Sequence, residues 1–171
     1  MRISLRSQYG LLAVLFLALP TWVSSAPAQS PVGASPFASC VEATGGNATI
    51  IIPETAELSV DGEAFSEGDE LAVIDAAGQC VGHLTWSGTG SEALVVWEVG
   101  LFSESTAGLR PGDPLTLRIW QRRTDRVFTP ANSSVEVVLD TSTSHLNETF
   151  RYQRDGIYVV RQLTVHPSSD S

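Results

Sequence analysis

The spacing of its turn signals constrains this chain more than any other feature. From about residue 48 onward, short apolar or alternating runs are cut roughly every 8–12 residues by Gly, Pro, Asp or Ser clusters, the rhythm of an all-β sandwich or barrel. No run repeats at the 3.6-residue period that an amphipathic helix needs. Ala48 to Ile52 is β-branched and stops at Pro53. Asp61-Gly62 separates Glu57–Val60 from Glu63–Phe65, and such a pair marks a hairpin because Gly accepts the positive φ of a type I′ turn. Glu70 to Asp75 and Cys80 to Trp86 form a second hairpin, with Leu71 and Val73 on one face and Cys80, Gly82, Leu84 and Trp86 on another.

Three later runs complete the set. Ala93 to Val99 is almost wholly apolar, which predicts a central strand covered on both faces, with Trp97 in the core. Leu115 to Trp120 alternates: Leu115, Leu117 and Ile119 point inward, Thr116, Arg118 and Trp120 outward. Gly156 to Val165 shows two apolar faces, one of Ile157, Val159, Leu163 and Val165, the other of Tyr158, Val160, Gln162 and Thr164. Two apolar faces predict an interior strand, since an edge strand is normally blunted with charge. One internal echo stands out: Gly68-Asp69 and Gly112-Asp113 each lead into an alternating strand.

Ahead of these strands, residues 1–28 read as a secretory signal peptide. Arg2 and Arg6 give the positive start, Leu11 to Leu19 the apolar stretch, and Ala26-Pro27-Ala28 the cleavage site. That stretch is about half the ~20 residues a membrane span requires, and no later segment is longer. Residues 29–39, small, polar and Pro-containing, predict a flexible arm. The sandwich is expected over 40–166 and a disordered tail over 167–171. The formal net charge of −9 falls to −11 without the leader, which carries two arginines and no acid. Such a charge speaks against binding nucleic acid, whose phosphates need a basic footing.

Cys40 and Cys80 are the two cysteines. In an oxidising compartment an even count predicts a disulfide, the alternative being two separate buried thiols. Closing a loop of that length would stabilise by about 4 kcal/mol in the chain-entropy model. The sequence holds no Gly-x-Ser-x-Gly elbow, no phosphate loop and no zinc spacing. Its histidines, His83, His145 and His166, lack partners at catalytic spacing. No cofactor is expected. Turn carboxylates could offer a hard cation its oxygens, and Asp61, Glu63, Asp69 and Asp75 are the calcium candidates, although the D-x-D-x-D-G loop is missing. Trp86 shares a face with Leu84 and Cys80, so core is its place. Trp120, beside Thr116 and Arg118, is the one tryptophan expected on the surface. With Arg118 it forms a candidate ligand platform, since a planar indole can stack on a sugar ring.

Several of these segments resemble a module repeated in secreted proteins of Bacteroidota and related phyla. Val60-Asp61-Gly62, the run Gly68 to Asp75, Gly78 and Cys80-Val81-Gly82 match its turn, strand and Cys-Val-Gly pattern. Val95-Val96-Trp97, Gly108-Leu109 through Trp120, and Asp155 to Thr164 match its later strands. The resemblance spans most of residues 45–165 and implies an Ig-like β-sandwich exported for surface display, with no assigned catalysis. Glu98-Val99 stands where the module carries an acidic pair.

The reading that follows is a single Ig-like β-sandwich behind a signal peptide and a short arm, secreted or held at the cell surface. It is expected to be no enzyme but an exported module for surface attachment or protein–protein contact. A polysaccharide-binding module is the first alternative and a small secreted hydrolase the second. The partner is another protein or a surface polysaccharide.

Overall fold

A computed structural model describes residues 33–41, 45–100, 107–142 and 147–168. The expected signal peptide and the first residues of the arm lie outside the described residues, as does the end of the tail. Among the described residues there is no helix, and every regular element is a strand. These are β1 (Asn47–Ile52), β2 (Glu57–Val60), β3 (Glu63–Ala64), β4 (Glu70–Ile74), β5 (Cys80–Thr85), β6 (Glu92–Trp97), β7 (Thr116–Gln121), β8 (Arg126–Phe128), β9 (Ser133–Leu139) and β10 (Ile157–Pro167). They form two sheets. The first runs β3-β2-β10-β1-β6, with β9 also paired to β10, and the second runs β5-β4-β7-β8. The chain is therefore the all-β sandwich that its turn rhythm predicts.

The core lies between the sheets and is built by alternation. Ala48, Ile50 and Ile52 of β1, Leu71 and Val73 of β4, Leu94 and Val96 of β6, and Leu117 and Ile119 of β7 all belong to one buried cluster. Trp86 joins it, as its sequence neighbours predict. The Asp61-Gly62 hairpin forms, with φ of 54° and 79° at its two central residues and Val60 paired with Glu63, the positive values a type I′ turn requires.

The long last strand is interior, but its faces differ from those expected. β9 pairs antiparallel with β10 over the same residues that β2 pairs in parallel, so the two must flank it, while β1 pairs with its first half. The register shifts between Val160 and Gln162. An extra residue at a bulge reverses the inside–outside parity of whatever follows. Tyr158 and Val160 are buried before the bulge, Leu163 and Val165 after it, and Arg161 and Gln162 both face solvent. The strand has one continuous core face, not two apolar faces.

β6 also departs from expectation. It is an edge strand: Ala93 and Val95 are exposed and Trp97 is only half-buried, so neither the covered outer face nor the core position of Trp97 is found. β6 instead runs close to β5 of the other sheet. There a Cβ on Gly82 would sit 2.1 Å from the Val95 carbonyl oxygen, which explains a glycine inside a strand.

The Gly-Asp echo is real as local structure. Asp69 accepts from the Ser66 N–H and donates its own N–H to the Ser66 carbonyl; Asp113 does the same with Arg110. Gly68 and Gly112 supply the left-handed residue within each turn, with φ of 89° and 93°. The same solution launches β4 directly and, two residues later, β7, and the two strands pair antiparallel.

Candidate functional site

The four-stranded sheet turns its outer face toward residues 33–41. Expected as a free arm, those of them that are described are docked. Phe37 is buried against Ala72, Ile74 and Trp120, a second small core outside the sandwich. The Ser35 hydroxyl donates to Glu70 Oε2 at 2.5 Å, and the Val41 N–H donates to the Cys80 carbonyl at 2.9 Å. Cys40 and Cys80 form the disulfide, with Cα atoms 4.5 Å apart. That lies within the 4.4–6.8 Å span such a bridge accepts.

This docking overturns the expected platform. Trp120 does point to the outer face of its sheet, as alternation predicts, but it is only 3% exposed because the segment covers it. Its indole N–H donates to Asp125 at 2.9 Å, which satisfies the polar end of the ring. Trp120 therefore offers no stacking surface. Arg118, two residues earlier on that face, remains partly accessible and lines a cleft of about 420 Å³ beside the disulfide. Its Nε is buried and meets no acceptor among the described residues. Phe37, Ile74, Gly78, Cys80 and Val127 form the walls with it, and no carboxylate is among the described lining residues. The neighbouring acids are engaged elsewhere. Asp75 accepts the N–H groups of Ala77, Gln79 and Gly108, and Glu70 accepts the hydroxyls of Ser35 and Thr85.

The calcium candidates are not brought together. Asp61 is exposed in its hairpin turn, Glu63 pairs with Arg123, Asp69 is buried closing a turn and accepting from the Arg122 N–H, and Asp75 orders the β4–β5 turn. Among the described residues no group of three or more His, Cys, Asp or Glu could hold a metal ion. The four acids sit in separate turns or, for Glu63, in an ion pair. His83 and His166 are exposed, and His145 lies outside the described residues.

A buried ionic cluster escaped the sequence reading. Glu98, 7% exposed, accepts from Arg154 Nε and Nη2, each at 2.7 Å, and from the Tyr152 hydroxyl at 3.0 Å. The Arg154 guanidinium holds the Glu98 carboxyl below its usual range against the opposing pull of burial. Burial, then the carboxylate of Glu98, pushes the Tyr152 hydroxyl up. The cluster fastens the end of β6 to the loop before β10. Tyr158 fastens the same loop from the other side: its hydroxyl donates to the Arg151 carbonyl and accepts the Gln153 N–H. A bidentate, fully bonded pair with one water-facing partner is a structural staple. Residues 54 and 56 positions apart in the chain give no local spacing that could have announced it.

The six-stranded sheet ends differently. β9 is a seven-residue strand whose only strand partner among the described residues is β10. Beside it lies a groove of about 250 Å³ lined by Leu115, Leu117, Pro130, Val135, Val137 and Phe150. Glu136, the central residue of β9, faces solvent, and Val138 beyond it is 39% exposed. No family model, curated protein or solved structure matches the chain.

Proposed function

We propose that the protein is an exported, non-catalytic contact module that engages a partner polypeptide by strand addition at β9. The open edge of β9 beside an apolar groove carries this reading. An incoming extended segment would gain main-chain hydrogen bonds along the strand and bury alternate side chains against Val135, Val137 and Phe150. Charge selects the partner. Antiparallel pairing of two copies centred on β9 would set Glu136 against its own image, and like charges directly opposite are destabilising. A basic residue at that position suits both Glu136 and a chain of formal charge −9. The resemblance to the Bacteroidota module and the Cys40–Cys80 disulfide support export. The polysaccharide reading loses its motive once Trp120 is covered.

The test uses a synthetic peptide of alternating Val and Thr with one central Arg. It should bind, and the amides it protects from hydrogen exchange should be those of residues 133–139. Glu136→Arg should weaken binding by up to about fivefold, and a peptide with Glu in place of Arg should recover it. Protection on β6 or β3, or no binding, overturns the proposal.

A further inference from the structure

We propose that the cleft between the disulfide-anchored segment and the outer face of the four-stranded sheet binds a small carboxylate with an apolar body, held by the Arg118 guanidinium. The cleft, at about 420 Å³, falls in the size range of small-molecule sites. Its place in the fold is fixed by rigid elements. Arg118 stands on β7, opposite Ala72 of β4. Phe37 and the Cys40–Cys80 bridge pin the outer wall. Gly78, a glycine required by its φ of 82°, adjoins the charge: a Cβ there would lie 3.7 Å from Arg118 Nη2, an ordinary contact.

The chemistry of the ligand follows from what Arg118 lacks. A guanidinium offers five donors, and a buried donor without an acceptor is costly. Among the described residues Arg118 has no ion pair; its Nε is buried and meets no acceptor, and it is Nη2, on the Gly78 side of the cleft, that a ligand would meet. The other partly buried arginine cluster, Arg154 on Glu98, shows what this chain does with a guanidinium when it supplies the carboxylate itself. At Arg118 no described residue supplies a carboxylate, and the proposal takes it from a ligand. A planar monoanion fits the fork of one guanidinium. A dianion would need further donors in a protein whose net field repels it, since the formal charge is −9. Phe37, Ile74 and Val127 then ask for an apolar body behind the charge. This inference stands apart from the β9 edge, which lies on the other sheet.

The experiment follows the arginine Nε–H signals of the disulfide-bonded protein by ¹⁵N-edited NMR. Titration with benzoate should move the Arg118 signal saturably, with a Kd of roughly 1 mM. Benzamide, the same body without the charge, should leave it in place. Sulfate should act more weakly than benzoate. In Arg118→Gln, benzoate should no longer move the backbone amide signals of Gly78, Cys80 and Val127, which line the cleft and should shift in the unaltered protein, while the melting temperature is kept. If that variant does not fold, the benzoate and benzamide titrations of the unaltered protein decide. An unmoved Arg118 signal, an equal response to benzamide, or a stronger response to sulfate overturns the proposal.

Discussion

The four-stranded sheet has two covered faces, and they are covered in different ways. Its inner face meets the other sheet: Leu71, Val73, Leu117 and Ile119 pack within the cluster that holds Tyr158, Val160, Leu163 and Val165 of β10. Its outer face meets one short segment, with Phe37 set over Ala72, Ile74 and Trp120 and a single disulfide holding it down. The inner cover is the fold itself. The outer cover is an addition to a fold already complete, and it both hides Trp120 and creates the cleft around Arg118.

The largest expected effect comes from removing the inner cover. Deleting residues 157–171 takes away four buried side chains of β10, each contributing about 1.5–3 kcal/mol. That rivals the whole stability of a small domain, so the truncated chain should show no cooperative thermal transition. A shortened protein that still melted cooperatively would mean that β10 is dispensable to the inner face.

Removing the outer cover should do less. Replacing Cys40 and Cys80 together by Ser should cost about 2–4 kcal/mol in urea unfolding and leave a cooperative transition. With the segment released, Trp120 should meet water, and the tryptophan emission should move to longer wavelength. An unshifted spectrum would show that Phe37 and Ser35 hold the segment without the bridge.

A smaller effect separates the ionic staple from both covers. Glu98→Gln should destabilise by about 1–3 kcal/mol at neutral pH. Because Arg154 lowers the Glu98 pKa in the folded protein, the stabilisation is present above the ordinary value of 4.5 and is lost as pH falls through the folded value. The unaltered protein should therefore lose stability more steeply than Glu98→Gln below about pH 4.5, and the two curves should converge in acid. Parallel curves would assign the acid sensitivity to other carboxylates.

The difference between the two faces also marks what could be read from sequence. Alternation placed Leu117 and Ile119 on one side of β7 and Arg118 and Trp120 on the other, and that parity is correct. What alternation cannot say is which surface will find a lid. Phe37 is one aromatic among small polar residues, and nothing in local spacing tells where it will land. Oxidising chemistry did bring Cys40 to Cys80, because two cysteines leave one pairing. The bulge at Arg161 was invisible for a different reason. An added residue leaves both halves of the strand apolar and changes only which half-pattern faces in. Glu98 and Arg154 meet only after the fold has formed.

The pairing of β10 with β1 has a consequence for timing. Thr49 aligns with Ile157, so one of the first strands in the sequence completes its pairing only when the last is available. Contacts this distant carry a large loop-closure cost and slow folding. A chain emerging from its N-terminus remains without its central strand until β10 has followed. β1 and β2, which both pair with β10, would then close on it together in one late step.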